Sequence, residues 1–493
     1  MALLGLDIGT THCKAALFDE SGVPLATAIR PLPRSASVGL TVYAAEHLWE
    51  TVQAVSAACS AALPGGTVTA IGIASMAETG LLLDPATGVA RTPFVPWFDT
   101  TAAHAAHRLV GTLAEDEALA RFGIQPTSKC GLAKILHLGD TAPALLDGAR
   151  WLSVADYVAF RLTGALATDE TLAGRTCAFN IATRSWDHEW LARFDLTSAL
   201  FPPVSPSGTP IGVTGSGARG TGLPTGIPVA IGGHDHLCAL IGAGVGTPGA
   251  MLDSMGTAEV LAGPCAPGPL DARARRTGLA FGIMPLTGTR YWLGGLSSGG
   301  GALDWLRGIL GTPPLSYAEF ATLQATLAPE PGKLLFLPYL AGRGAPLPSP
   351  ATRGAFIGLA AEHDRADLLK AVLEGTAYQL EAIRRATGSL IGSAPESITV
   401  TGGGTRNSRW VQIKADVYGV PLDVRAADET TLLGAALIAG VGCGLYPDAA
   451  TALACAAARP AARVEPDVTR HRRYAELFAE HFLPWQWRFI SEG

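Results

Sequence analysis

The acidic residue in the clearest chemical context is Asp235, which stands in the sequence GGHDH at 232–236. Residues 229–233 predict a buried strand, and residues 235–244 predict a helix that ends at glycine. A helix dipole favours negative charge at its N-terminus, and a carboxylate there can accept a proton from an attacking hydroxyl group. Local sequence alone supports an ordinary helix cap equally well.

Three turns rich in glycine and hydroxyl residues follow apolar strands, at 7–11, 254–257 and 402–405. Glycines let main-chain N–H groups converge on an anion, and serine or threonine hydroxyls add further donors. Taken singly, each is most simply a hairpin turn, but the set of three predicts a nucleotide in a cleft between two domains. The Walker A sequence is absent, and no G-x-G-x-x-G is correctly placed after a strand.

Two charged residues belong to the first of these turns. Asp7 ends an apolar strand, where a carboxylate costs free energy unless it is paired or lies near a metal. This predicts Mg²⁺ bound mostly through water, with a turn-capping aspartate as the alternative. Lys14 would stand across the hairpin and face the transferred phosphoryl group, although an exposed strand lysine is the simpler interpretation for this residue alone.

Glu78 follows the strand that ends at Ala74. A carboxylate in this place can accept hydrogen bonds from a polyol, and an acid that merely stabilises a turn is the alternative. Trp97 and Trp151 could stack on a sugar ring or fill the core, and for tryptophan the core is the commoner role.

Four histidines raise the question of a metal site. His234 and His236 flank Asp235, but the sequence shows no cluster that would supply a third ligand, which argues against metal binding by this pair. His104 and His107 form H-x-x-H on a predicted helix without evident partners, so a solvated helix face is expected for them.

The elements that must position these residues alternate between strands and helices, which predicts an α/β architecture of layered sheets. An apolar strand that runs into a small, hydroxyl-bearing turn occurs at the start of each half. We therefore predict two related domains, 1–245 and 246–493. The predicted helices lie at 46–63, 100–122, 129–138, 152–162, 364–387 and 408–418, the further strands lie at 68–74, 80–84 and 397–401, and 200–228 is an irregular connection.

Composition agrees with this organisation. The chain has 493 residues, 48% of them hydrophobic, which is enough apolar material for two cores. A net charge of −6 without a long basic run argues against nucleic-acid and membrane-surface partners. The eight cysteines form no C-x-x-C pair, and the longest apolar stretch, 432–445, is shorter than the ~18 residues of a spanning helix. We expect reduced thiols and a cytoplasmic protein.

Motifs along nearly the whole chain, in a shared order, resemble the FGGY carbohydrate kinases of the actin-like ATPase superfamily. The motifs are LGLDIGTTHCKAALFD, the stretch 129–164 that ends in RLTG, TDETLAGRTCAFN, GGHDHLCALIGAGV, DSMGTAEVL, LPYLAGRGAP, the sequence 354–374, TGGGTRNSRWVQIKADVYGVPL and DETTLLGAALIAGVGCGLY.

This resemblance implies two actin-like (ribonuclease H-like) domains that flank a cleft, with ATP and Mg²⁺ as cofactors. It gives Asp235 the role of general base and places a small carbohydrate beside Ala77, Glu78 and Asp235. Asp7 would hold the metal. The residues implied to contact ATP are Thr10, Thr11, Lys14, Gly256, Thr257, Gly300, Asp304, Gly403 and Asn407.

The pair at 77–78 departs from well-known members of the family. Glycerol kinases carry Arg-Glu at this pair and xylulokinases carry Met-His, whereas this chain has Ala77 and Glu78, which argues against both substrates. The sequence leaves open which sugar, polyol or sugar acid is used, and also the oligomeric state, a homodimer included. Two rivals are a catalytically silent sugar-binding member and an actin-like acyl or small-acid kinase.

Overall fold

The computed structural model describes residues 1–37, 40–63, 67–391, 395–425, 430–458 and 462–491. The strands of the first half are β1 Ala2–Ile8, β2 His12–Phe18, β3 Pro24–Pro31, β4 Ser35–Ser37, β5 Leu40–Val42, β6 Val68–Ser75, β7 Gly80–Leu83, β8 Arg150–Ser153, β9 Thr168–Asp169, β10 Phe179–Asn180, β11 Ser185–Trp186, β12 Val204–Ser205, β13 Pro210–Val213 and β14 Pro228–His234. Its helices are α1 Ala45–Ala61, α2 Ala103–Thr112, α3 Glu115–Phe122, α4 Gly131–Thr141, α5 Val154–Thr163, α6 Glu170–Ala173, α7 His188–Ala192 and α8 Asp235–Gly242.

The second half continues the alternation. Its strands are β15 Leu252–Met255, β16 Glu259–Cys265, β17 Ala280–Ile283, β18 Arg290–Leu296, β19 Leu335–Leu337, β20 Ala355–Ile357, β21 Ile398–Thr401, β22 Leu422–Val424 and β23 Ala462–Val464. Its helices are α9 Ala272–Arg276, α10 Gly300–Ile309, α11 Tyr317–Ala325, α12 Arg365–Ile391, α13 Ser408–Tyr418, α14 Thr430–Gly442, α15 Ala449–Ala457, α16 Val468–Leu477 and α17 Leu483–Ser491.

Two large sheets share one central topology. Among the described residues the first sheet has the order β13-β14-β6-β1-β2-β3, and the second has the order β17-β18-β16-β15-β21-β22-β23. In the first, β1 pairs antiparallel with β2 and parallel with β6. In the second, β15 pairs antiparallel with β16 and parallel with β21. The same plan therefore occurs twice, and the predicted α/β fold with two domains is confirmed.

Helices α8 and α14 cross in the layer behind the first sheet, and glycines set how closely they approach. A Cβ atom at Gly434 would lie 1.7 Å from the main-chain oxygen of Cys238, and one at Gly242 would lie 1.9 Å from that of Thr430. Only glycine fits such contacts. A Cβ atom at Gly72, in β6, would also lie 1.9 Å from the main-chain oxygen of Ala435. Since α14 lies late in the chain but packs on the first sheet, the division near residue 245 stays a prediction.

Several elements differ from their sequence-based predictions. The helix expected at 100–122 is two helices, α2 and α3, because Leu113 between them has extended backbone angles. The helix expected at 152–162 begins only after β8, at a capping box formed by Ser153 and Asp156. The connection at 200–228 contains the short strands β12 and β13. Residues 428–429 of the last quoted motif lie outside the described residues.

None of the helices in the described part of the chain is both long enough and apolar enough to cross a membrane.

Candidate active site

Asp235 is the first residue of α8, directly after β14. The residue in the N-cap position is His234, so Asp235 is not the ordinary helix cap that local sequence allowed. The chain reaches this point through Gly233, whose φ of 112° is in the left-handed region and whose Cβ atom would lie 2.2 Å from the Thr171 hydroxyl oxygen. The main-chain N–H of His234 donates to that hydroxyl at 2.9 Å. Gly233 and Thr171 together therefore fix the main chain from which the Asp235 side chain extends.

The Asp235 side chain is one-quarter exposed, with 25% of its surface accessible. Its Oδ1 accepts a hydrogen bond from the main-chain N–H of His236 at 2.7 Å. Burial raises the pKa of Asp235 above its usual range, His236 lowers it in part, and the carboxylate of Glu78 raises it again.

Asp7 and Lys14 face each other across the first hairpin, as β1–β2 register partners. The Asp7 side chain is buried, and its Oδ1 has no hydrogen-bond partner. Burial first, and then the Asp235 carboxylate, raises the pKa of Asp7 to about 7, while Lys14 acts in the opposite direction. An orphaned buried carboxylate oxygen beside a second carboxylate fits a hard divalent cation.

The first turn is held in place from outside by its main-chain and hydroxyl groups. The main-chain oxygen of Thr10 accepts a hydrogen bond from the Tyr43 hydroxyl at 2.8 Å. The Thr10 hydroxyl accepts one from the indole N–H of Trp97 at 3.0 Å. The neighbouring Thr11 is exposed. The main-chain oxygen of Thr11 accepts a bond from Leu32 at 2.9 Å. Both threonines therefore adjoin the site without lining its main cavity.

A cavity of about 830 Å³ lies where the second and third turns meet strand β2 of the first hairpin. The predicted ATP-contacting residues that line it are Lys14, Gly256, Thr257, Gly300, Asp304, Gly403 and Asn407. The sequence did not single out other lining residues, among them His12, Arg307, Tyr317, Arg406 and Trp410. The cavity therefore contains residues from the first hairpin, the second hairpin and the segment after β21.

The second turn is docked on the N-terminus of α10. The main-chain N–H of Gly300 donates to the oxygen of Gly256 at 2.9 Å, and that of Gly301 donates to Thr257 at 2.9 Å. A Cβ atom at Gly300 would lie 2.8 Å from the Gly256 oxygen, so a side chain there would push the two segments apart. The third turn approaches the second equally closely, because a Cβ atom at Gly402 would lie 2.6 Å from the main-chain oxygen of Met255.

Side chains complete the far wall of the cavity. Asn407 caps α13, since its Oδ1 accepts a bond from the Trp410 N–H at 3.1 Å, and its buried Nδ2 has no partner. Asp304 pairs with Arg307 at 2.9 Å, one turn along α10. The Arg307 guanidinium lies 3.7 Å from the centre of the Tyr317 ring. This Arg–Tyr stack was missed, and its only sequence signal was the i, i+3 acid–base spacing in α10.

Glu78 is located in a turn between β6 and β7, and its charge acts on Asp235. Its φ of 62° is left-handed, which is uncommon for a residue with a side chain. Its carboxylate forms an ion pair with Arg175, and both side chains are 13% exposed. Burial opposes ionisation of Glu78, but Arg175 and then Lys129 bring its pKa below the usual range. The preceding Ala77 is buried.

The basic residues that interact with Glu78 were not predicted from the sequence. Arg175 lies within the quoted TDETLAGRTCAFN motif, but nothing in the sequence paired it with Glu78, 97 residues away. Its Nε and Nη1 atoms are buried without a hydrogen-bond partner. Lys129 places its ammonium 5.2 Å from the centre of the Trp97 ring. By contrast, Trp151 is 4% exposed within a hydrophobic cluster, which is the core role expected for it.

The histidines beside Asp235 form a compact group. Ligand atoms of His234, Asp235 and His236 lie within 4.8 Å of one another, the single such group of three found in the described residues. Burial, followed by His236, holds the pKa of His234 well below its usual range, so that imidazole is neutral. The sequence-based expectation that these histidines bind no metal stays a prediction. His104 and His107 are exposed.

Comparison with known proteins places this site in a family. Residues 2–242 match the N-terminal domain of the FGGY family of carbohydrate kinases, and residues 253–443 match its C-terminal domain. The chain belongs to this family and is a carbohydrate kinase, a phosphotransferase that binds ATP.

Individual relatives span nearly the whole chain. Glycerol kinase from Gloeobacter violaceus is 31% identical over 491 residues, 98% of this chain and 95% of that protein. Glycerol kinase from Rhodospirillum centenum is 33% identical over 466 residues, 90% of each chain. The structure of xylulose kinase from Rhodospirillum rubrum is 27% identical, with a TM-score of 0.87 over 99% of this chain and 98% of that chain.

Proposed function

We propose that this kinase transfers the γ-phosphoryl group of ATP to a hydroxyl of a small sugar, polyol or sugar acid, with Asp235 as the general base. The observation that carries the proposal is the position of Asp235 between two differently built regions. Ala74 of β6 is the register partner of both Asp7 in β1 and Gly233 in β14, so these strands end side by side. The Asp235 carboxylate raises the pKa of Asp7, and the Glu78 carboxylate raises the pKa of Asp235. A hydroxyl bound beside Glu78 would therefore meet both the base and the phosphates.

ATP would occupy the cavity that the second and third turns form with strand β2. The main-chain N–H of Gly403 and the hydroxyl of Thr257 would face its phosphates, the close contact of Gly256 with Gly300 would hold the second turn beside them, and Lys14 would offset charge on the transferred group. Asn407 offers a buried amide donor without a protein partner, which suits the nucleoside. The stacked Arg307 and Tyr317 side chains provide a flat surface on which the adenine ring would stack.

Asp7 would hold Mg²⁺, mostly through water molecules. The metal, when bound, neutralises charge that develops on the phosphate oxygens. Its own charge would also favour ionisation of Asp7, which burial otherwise opposes. Thr10 and Thr11 would then shape the turn around the phosphates from outside the cavity.

The carbohydrate would bind chiefly to residues 1–245 and ATP chiefly to residues 246–493. Glu78 is kept ionised by Arg175 and would accept hydrogen bonds from substrate hydroxyls. Ala77, with its short side chain, does not offer the arginine that glycerol kinases carry at this place. Closure of the cleft would expel water and align the hydroxyl with the γ-phosphate, while Asp235 accepts its proton.

An ADP-release screen with ATP and Mg²⁺ tests this function. The panel would contain glycerol, tetritols, ketopentoses, ketohexoses and aldonates, with acetate and propionate as the acid arm. We expect sugar- or polyol-dependent ADP release and none that depends on the simple acids. Release with the simple acids alone would favour an acid kinase, and release with no compound of the panel would favour a silent sugar-binding member.

A further inference from the structure

Lys134 is a buried lysine of α4 that has no part in the proposed chemistry. Its side chain is 1% exposed. The three N–H donors of its ammonium match three main-chain carbonyl acceptors: Glu78, Pro96 at 2.8 Å and Val95 at 3.3 Å. Burying an ammonium is costly unless it is fully hydrogen-bonded, so this arrangement holds the three carbonyls in fixed positions.

The three carbonyls belong to two separate segments that both lead to the carbohydrate side. One segment is the turn of Glu78, whose left-handed φ of 62° has to be maintained against its own strain. The other segment is Val95–Pro96, immediately before Trp97. The Trp97 main-chain N–H donates to the Thr79 hydroxyl at 3.0 Å, which ties the segments together a second time.

Trp97 extends this connection to the phosphate turn, because its indole N–H donates to the Thr10 hydroxyl at 3.0 Å. The Lys134 ammonium therefore sets the distance between Glu78 and Trp97 together with the Trp97–Thr79 bond and the main-chain bonds between Val95 and Gly80. Through Trp97 it also affects their distance from the first turn. Burial lowers the pKa of Lys134 to about 8, and the charge of Glu78 opposes this effect.

We propose that Lys134 is a positioning residue for carbohydrate binding, which fixes the backbone of Glu78 and of the segment before Trp97. It acts through these neighbours and does not contact the substrate. The inference rests on the proposed function, since it assumes that Glu78 and Trp97 face the carbohydrate.

The test is the substitution Lys134→Met, which keeps an apolar stem of similar length and removes the donors. The probe is the compound of the panel that gives the fastest ADP release with the wild type. We expect KM for that compound to rise about tenfold or more, while KM for ATP changes by less than about twofold. Lys134→Gln, which keeps two N–H donors without charge, should give a smaller rise.

Leu136→Ala is the matched control, because Leu136 is buried in the same helix and touches a hydrophobic cluster instead of the two segments. It should lower the melting temperature without a selective change in KM for the carbohydrate. The inference is overturned if KM for the carbohydrate is unchanged in Lys134→Met, or if Leu136→Ala produces the same selective rise. If Lys134→Met does not fold, the same criteria apply to Lys134→Gln.

Failure of the proposed function would look different. In that case the wild type releases no ADP with any panel compound, and calorimetric binding of the same panel takes the place of KM. A panel compound that binds the wild type but binds Lys134→Met and Lys134→Gln equally well would overturn the positioning role alone.

Discussion

The proposed nucleotide side of the site, at the glycine turns, and the proposed carbohydrate side, around Glu78, are built by different means. On the nucleotide side, glycine turns approach so closely that a Cβ atom at Gly300 or Gly402 would meet a main-chain oxygen at 2.8 or 2.6 Å. On the carbohydrate side, buried basic side chains from distant segments hold Glu78 in place. Main-chain N–H groups in such turns suit phosphates, and phosphates are present in every ATP-dependent phosphoryl transfer. Side-chain geometry can change with the substrate while the turns stay as they are.

We expect the largest effect on turnover from substitution of Asp235, which is proposed to act on both the carbohydrate and the phosphates. Replacing Asp235 with Asn keeps the shape of the side chain and removes the base, so kcat should fall about 10²-fold or more with carbohydrate binding largely retained. Steady-state kinetics and calorimetry measure the two quantities. Asp140→Asn, at an exposed carboxylate of α4, is the control and should retain wild-type turnover. Undiminished turnover in Asp235→Asn would refute its role as base.

Arg175→Lys tests the carbohydrate side. The substitution keeps the charge but loses the planar guanidinium that pairs with Glu78, so KM for the carbohydrate should rise about tenfold, while KM for ATP stays nearly constant. Arg184→Lys is the matched control, because Arg184 forms a two-bonded ion pair with Glu170 and not with Glu78. Equal changes in both KM values would contradict the separation of the two sides.

Gly300→Ala tests the nucleotide side in the same way. The added methyl group would lie 2.8 Å from the Gly256 oxygen and displace the second turn. We expect KM for ATP to rise severalfold, up to about tenfold, with KM for the carbohydrate unaffected. In Gly308→Ala, on the same helix, the methyl group meets no atom within 4 Å, so KM for ATP should not change. A rise in KM for the carbohydrate alone would contradict the assignment of Gly300 to the nucleotide side.

The smallest expected effect concerns stability and the metal. Because folding raises the pKa of Asp7 from 3.8 to about 7, its contribution to stability is present at low pH and is lost as pH rises towards 7. Without metal, Asp7→Asn should therefore melt above the wild type at pH 8, by about 2 °C or more, and the difference should shrink towards pH 4. Thermal melts with and without Mg²⁺ measure this.

Added Mg²⁺ should raise the melting temperature of the wild type at pH 8 and leave Asp7→Asn unaffected. Equal stabilisation of both proteins would place the metal elsewhere, and a pH-independent difference between them would mean that Asp7 is not the titrating group.

Much of the fold could be predicted because strand and helix boundaries are local. The strand at 68–74 and the helix at 408–418 are recovered almost residue for residue, as Val68–Ser75 and Ser408–Tyr418. The predicted helix at 100–122 was wrong in its middle, since an apolar periodicity does not reveal the extended Leu113 that separates α2 from α3. The packing of α14 on the first sheet could not be predicted either, because its residues are apolar on every face.

The sequence by itself determined that three glycine- and hydroxyl-rich turns and Asp235 follow strands, because glycine and small polar residues after an apolar run end a strand locally. Only the tertiary structure decided the partners of Glu78. Arg175 lies 97 residues away along the chain, and Lys134 lies 56 residues away. Such pairings depend on how separate segments of the chain pack together. Hydrophobic periodicity predicts which face of an element is buried, but it does not predict which buried charges will be in contact.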